Sequence, residues 1–201
     1  LKKRRRSHSH FQAGGVPTVP DRCWQEIRTS LFHSEFFNML YRINLNKKWR
    51  DHTPARFPNL NMGDIEILLR GFAMLIDGEK YSPSLTRFLN QFSLKAKSFD
   101  KKNIYYLEEL FNTFIKIVPE GHTKLFHNEK TGRFNISVYE SIFVATCQEA
   151  FGSRNVNINA IDLQKVENLK GDSEFLNATQ SNTASTINVA TRLRRAKEML
   201  K

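Results

Sequence analysis

Two consecutive stretches between Asn61 and Phe92 read as helices that must both be buried, and a chain holding such a pair has to wrap other helices around it. In the first, Ile65, Leu68, Leu69, Phe72, Leu75 and Ile76 recur at helical intervals and cover more than half the circumference, so the helix belongs inside others. Asn61, with Asp64 three positions on, marks its start. Asp77-Gly78 marks its end, the glycine supplying a left-handed closing residue. Ser82-Pro83 then reads as a cap followed by a first-turn proline, opening a second helix with Leu85, Phe88, Leu89 and Phe92 on one stripe. The expected fold class is all-α: an irregular multi-helix bundle around a buried helical hairpin, residues ~61–92.

The flanking sequence supplies the cover. Residues 1–20 combine a basic run with paired glycines and two prolines, the pattern of an extended connector, and residues 21–201 form the expected helical domain. Asp21 can cap a helix carrying Trp24, Ile27 and Leu31, and Ser34 one carrying Phe36, Phe37, Leu40 and Tyr41. Pro54 and Pro58 break any helix in the basic stretch from Asn44 to Leu60. The most regular amphipathic pattern runs through Ile104, Leu107, Leu110, Phe111, Phe114, Ile115 and Val118 and stops at Pro119. Ser137 with Glu140 has capping-box spacing, ahead of a helix that buries Val138, Ile142 and Ala145 and encloses Cys147. Three short helices complete the chain, the last over ~185–200 with Val189, Leu193, Ala196 and Leu200 inward and its arginines outward. A short hairpin around Asn128 to Phe134 is the only place where β structure competes.

Charge adds a functional hint. The formal net charge is +11, distributed as +8 over residues 1–60, zero over 61–150 and +3 over 151–201. A neutral centre with basic ends suits a polyanion met at the edges, since phosphate contacts supply most nonspecific nucleic-acid affinity. The candidate contacts are Arg4, Arg5, Arg6, Lys47, Lys48, Arg50, Arg192 and Arg195, with Trp49 placed among them to stack on a base or to fill the core. DNA is the partner this suggests. No apolar run is long enough to span a bilayer and no signal-peptide pattern appears, so a cytoplasmic location without membrane attachment is expected.

Catalytic signatures are missing. There is no glycine-rich phosphate loop, no nucleophile elbow and no zinc-ligand spacing, and His122 and His127 are five apart rather than four. His8 and His10 lack a third ligand nearby. Catalytic and metal residues are therefore expected to be none, and no cofactor is expected in this segment.

Three stretches carry a resemblance. Gly14-Gly-Val-Pro17 leading to Gln25-Glu-Ile-Arg28, Asp64-Ile-Glu66-Ile-Leu-Leu69-Arg70-Gly-Phe72-Ala73, and Tyr81 with Phe88-Leu89-Asn90 together resemble the helical part of the GmrSD restriction-endonuclease N-terminal-domain family, with looser likeness at Phe134-Asn135 and Asp172-Ser-Glu-Phe175. The residues before the glycines, Ser-His-Ser-His-Phe-Gln, depart from that family's Phe-x-Arg-x-Asn. The resemblance implies the C-terminal helical portion of a bacterial restriction or anti-phage defence protein, assisting DNA binding. NTP-dependent catalysis, with NTP and a divalent metal, would then belong to an upstream ParB-like domain or separate subunit, and a chain starting at Leu1 would be a fragment. A non-catalytic helical adaptor that binds protein or nucleic acid is the alternative expectation.

Overall fold

The computed structural model describes residues 21–54, 58, 62–129 and 131–201, with side chains in the first helix from Gln25 onward. Ten α-helices lie among the described residues: α1 Asp21–Leu31, α2 Glu35–Asn44, α3 Lys47–His52, α4 Gly63–Asp77, α5 Leu85–Ala96, α6 Lys101–Ile117, α7 Ile136–Gly152, α8 Leu163–Gly171, α9 Ser173–Gln180 and α10 Thr186–Leu200. Asn46, Ser84, Asp100, Asn135, Asp162, Asp172 and Ser185 each cap the helix that comes next by accepting backbone N–H bonds. The β feature near residues 128–134 reduces to a single antiparallel bridge, His127 to Phe134. No helix among the described residues is long and apolar enough to cross a membrane.

The all-α expectation holds, and α4 is its centre. Ile65, Ile67, Leu68, Leu69, Phe72, Ala73, Met74 and Leu75 are all buried, and α4 packs against α1, α2, α5 and α7. Such a helix leaves its charged side chains little solvent to face. Each is instead held by another helix: Asp64 by Arg50 of α3 (2.9 Å) and Asn44 of α2 (2.8 Å), Glu66 by Arg28 of α1 (3.3 Å), Arg70 by Glu140 of α7 (2.5 Å), and Asp77 by Lys95 of α5 (2.7 Å). Apolar burial makes the contact area, while these pairs fix which neighbour lies where.

Helix ends depart from the sequence reading in identifiable ways. The cap expected at Asn61 lies outside the described residues; Met62, next before α4, adopts a left-handed conformation (φ 55°). Gly78 is right-handed (φ −57°), because the chain tightens into a 3-10 turn over Gly78–Lys80 and needs no left-handed residue. Ser84 rather than Ser82 caps α5, accepting from the Arg87 N–H at 3.3 Å. The capping box at Ser137 does not form: Asn135 accepts from both the Ser137 and Val138 N–H groups, which leaves Glu140 free to turn inward.

Aromatic rings fill the space between α3, α4, α6 and α7. Trp49 is fully buried, 5.1 Å from Tyr139 and 5.3 Å from Phe111 between ring centroids, so its ring belongs to the core rather than to a nucleic-acid base. Tyr139 lies parallel to Phe143, at 9° and 5.9 Å, and the helices approach closely enough there to require a glycine. A Cβ placed on Gly71 of α4 would stand 2.6 Å from the Tyr139 hydroxyl.

Gly71→Ala is therefore expected to destabilise the fold by about 1–3 kcal/mol through overpacking, despite the helix propensity it gains. The Tyr139 hydroxyl is buried and has no hydrogen-bond partner among the described residues. Tyr139→Phe should consequently be neutral or stabilising and should recover part of the Gly71→Ala loss. Urea unfolding of the two single variants and the double variant measures this coupling.

Candidate nucleic-acid interface

Solvent-facing cations, not the total charge, decide what a polyanion can touch. Arg4, Arg5 and Arg6 lie outside the described residues. Lys47 and Lys48 open α3, whose N-cap is Asn46; Lys47 is exposed, and Lys48 reaches across to donate to the Lys116 carbonyl at 2.9 Å. That bond places α3 beside the C-terminal end of α6, where Lys116 is exposed too. Lysine ammonium groups here are free to form phosphate contacts without breaking internal ion pairs.

The arginines expected at the surface behave differently. Arg50 is an interior residue, bonded to Asn44 at 3.0 Å and to Asp64 at 2.9 Å. Arg192 is an interior residue as well, its side chain only 1% exposed, with one nitrogen 2.7 Å from Glu140. Arg195 grips Asp172 (2.5 Å) and Glu198 (2.8 Å), and neighbouring Arg194 grips Glu174 (2.6 Å) and Glu198 (2.9 Å). The outer face of α10 is thus a lattice of ion pairs rather than a free basic strip. Arg194 and Arg195 lie outward as helical periodicity puts them, but Asp172 between α8 and α9, Glu174 of α9 and Glu198 of α10 itself bring acids against them.

Glu140 is the centre of the most buried of these groups. Its side chain is 0% exposed and accepts from Arg70 at 2.5 Å and Arg192 at 2.7 Å. Burial pushes its pKa up, yet the two guanidiniums outweigh burial and hold it below the ordinary carboxylate value. The sequence does contain a signal for this residue: Glu140 is a lone acid among Val138, Tyr139, Ile142 and Phe143 in a helix that is apolar on all sides. A charge there must meet another buried charge.

A second polar cluster joins the three stretches that carry the family resemblance. Arg28 donates to Asn90 at 2.9 Å and to Glu66 at 3.3 Å, and also bonds Gln25. Burial lowers the Arg28 pKa, with Glu66 opposing the shift. This inverts α1. Gln25, Arg28 and Thr29 face inward, whereas Ile27 (38%) and Leu31 (64%), expected in the core, are exposed. The Trp24 and Cys23 side chains lie outside the described residues.

Little else offers chemistry. Burial lowers the pKa of His52 and His127 and raises that of Cys147 well above its usual value, as suits an inert buried thiol. Glu129 and Glu167 share a hydrogen bond that raises the first and lowers the second. Among the described residues no group of three or more His, Cys, Asp or Glu side chains could hold a metal ion. Comparison with protein families, with characterised proteins and with solved structures found no match.

Glu140→Gln leaves two interior guanidiniums around a neutral amide and is expected to cost roughly 3–5 kcal/mol. Because the folded pKa of Glu140 is lowered, its contribution is present above the unfolded carboxylate value of about 4.3 and is lost as pH falls through the folded value. Urea midpoints measured against pH should decline on acidification below about pH 4.3 for the parent and decline less for Glu140→Gln.

Proposed function

We propose that this chain is the helical portion of a GmrSD-like restriction or anti-phage defence protein, in which it helps hold duplex DNA while NTP-dependent catalysis belongs to an upstream ParB-like domain or a separate subunit. The observation that carries this reading is the meeting of the three resembling stretches at Arg28. Gln25 and Arg28 from the first, Glu66 from the second and Asn90 from the third are joined through the Arg28 guanidinium, which supports reading the three stretches together. Lys47, Lys48 and Lys116 supply the DNA contacts in this reading, joined by the basic run Lys2 to Arg6. The protein is bacterial and cytoplasmic on the same reading.

The inverted face of α1 favours a second reading, a non-catalytic helical adaptor. Exposed Ile27 and Leu31 on one helix are a face suited to another protein surface. In that case the net charge serves solubility alone.

Duplex DNA binding measured across salt concentration separates the two. Expected is a steep fall in affinity with added salt, and for the Lys47→Gln/Lys48→Gln/Lys116→Gln variant a slope shallower by about one for each phosphate no longer neutralised. Circular dichroism should show unchanged helix content, because all three ammonium groups lie outside the core. No binding in dilute buffer would remove the DNA reading and leave the adaptor.

A further inference from the structure

The buried group around Glu140 does not balance its charge. Two guanidiniums, those of Arg70 and Arg192, share one carboxylate, and no second acid pairs with either among the described residues. Arg192 gives its remaining terminal nitrogen to the Thr183 carbonyl at 2.5 Å, while its Nε is buried without a partner among the described residues. A net positive charge largely removed from water, with the Arg192 side chain 1% and that of Arg70 12% exposed, is costly unless an anion compensates it. Carbonyl dipoles offset part of that cost and cannot supply a full charge.

Directly beside this group lies an open cleft of about 530 Å³, within the range of roughly 300–1,000 Å³ usual for small-ligand sites. Arg70 forms one wall. Its Nε is taken by Glu140, and its terminal nitrogens have no other partner among the described residues. Arg133 stands on the loop before α7, exposed and without a carboxylate partner among the described residues. Between them the apolar side chains of Phe134 and Ile136 alternate with hydroxyl and amide groups, including Asn128, Ser137, Gln180 and Thr183, and no carboxylate contributes among the described residues. The first turn of the 17-residue helix α7 also faces the cleft, adding the positive end of its dipole.

We propose that this cleft binds a phosphate-bearing small ligand, its phosphate meeting Arg70 and Arg133 and neutralising the excess charge of the Arg70–Glu140–Arg192 group. Two guanidiniums with surrounding hydroxyl and amide donors match a tetrahedral dianion better than a single carboxylate. The site is separate from the lysines of α3 and does not depend on the DNA reading.

Thermal unfolding and calorimetry test the assignment, using inorganic phosphate, a nucleoside 5′-monophosphate and chloride at matched ionic strength. Phosphate should raise the unfolding temperature above the chloride control, and Arg133→Glu, at an exposed position, should fold normally and bind at least about tenfold more weakly. A monophosphate that binds more tightly than inorganic phosphate identifies the ligand as a phosphate ester; equal affinity identifies free phosphate. The Lys47→Gln/Lys48→Gln variant should retain the effect in full. Stabilisation no greater than by chloride, an unchanged response in Arg133→Glu, or loss of the response in the lysine variant would each overturn the proposal.

Discussion

A carboxylate with no exposure to solvent can exist only where other helices bring it cations, and Glu140 imposes that condition on this fold. Arg70 arrives from α4 and Arg192 from α10, so one side chain on α7 fixes the relative placement of three helices that are far apart in sequence. Hydrophobic contact alone tolerates sliding of one helix on another. A two-sided ion pair does not, because displacement by a single residue would leave a charge buried and unpaired. The close approach of Gly71 to Tyr139, one residue from each member of the Arg70–Glu140 pair, belongs to the same junction.

The same logic repeats along α4. Asp64, Glu66 and Asp77 reach α3, α1 and α5 as Arg70 reaches α7, so the central helix addresses each neighbour with a different charge. Register in the bundle is carried by these pairs, and cohesion by the aromatic packing of Trp49, Phe111, Phe114, Tyr139 and Phe143. One consequence concerns charge. A chain with formal net charge +11 directs many of its arginines inward or against acids and leaves lysines outermost on α3 and α6. Pairing removes acids and bases together and leaves the net charge unchanged, so among the described residues tertiary structure changes where cations are open to a partner rather than their excess.

Periodicity made the helices legible. Apolar spacing located α4, α5, α6, α7 and α10 because a buried stripe repeats at the helical interval whatever lies opposite it. Short-range chemistry was less legible: Ser34 stands at the expected start of α2 without a side-chain capping bond, and Ser137 and Glu140 share capping-box spacing without forming the box, since Asn135 occupies the role first. The candidate interface was less legible. Lys47 and Lys48 are accessible, while Arg50 and Arg192 are interior, and α1 turns its polar side inward to satisfy Glu66 and Asn90.

By itself the sequence determined that this protein is helical, where most of its helices run, α3 at Lys47–His52 excepted, and that a greasy pair near its middle must be enclosed. Those are properties of local spacing. Tertiary structure alone decided which charges face water, because a cation is driven inside only by an acid brought from elsewhere in the chain, and nothing within the helix carrying Arg192 announces Glu140 waiting on another.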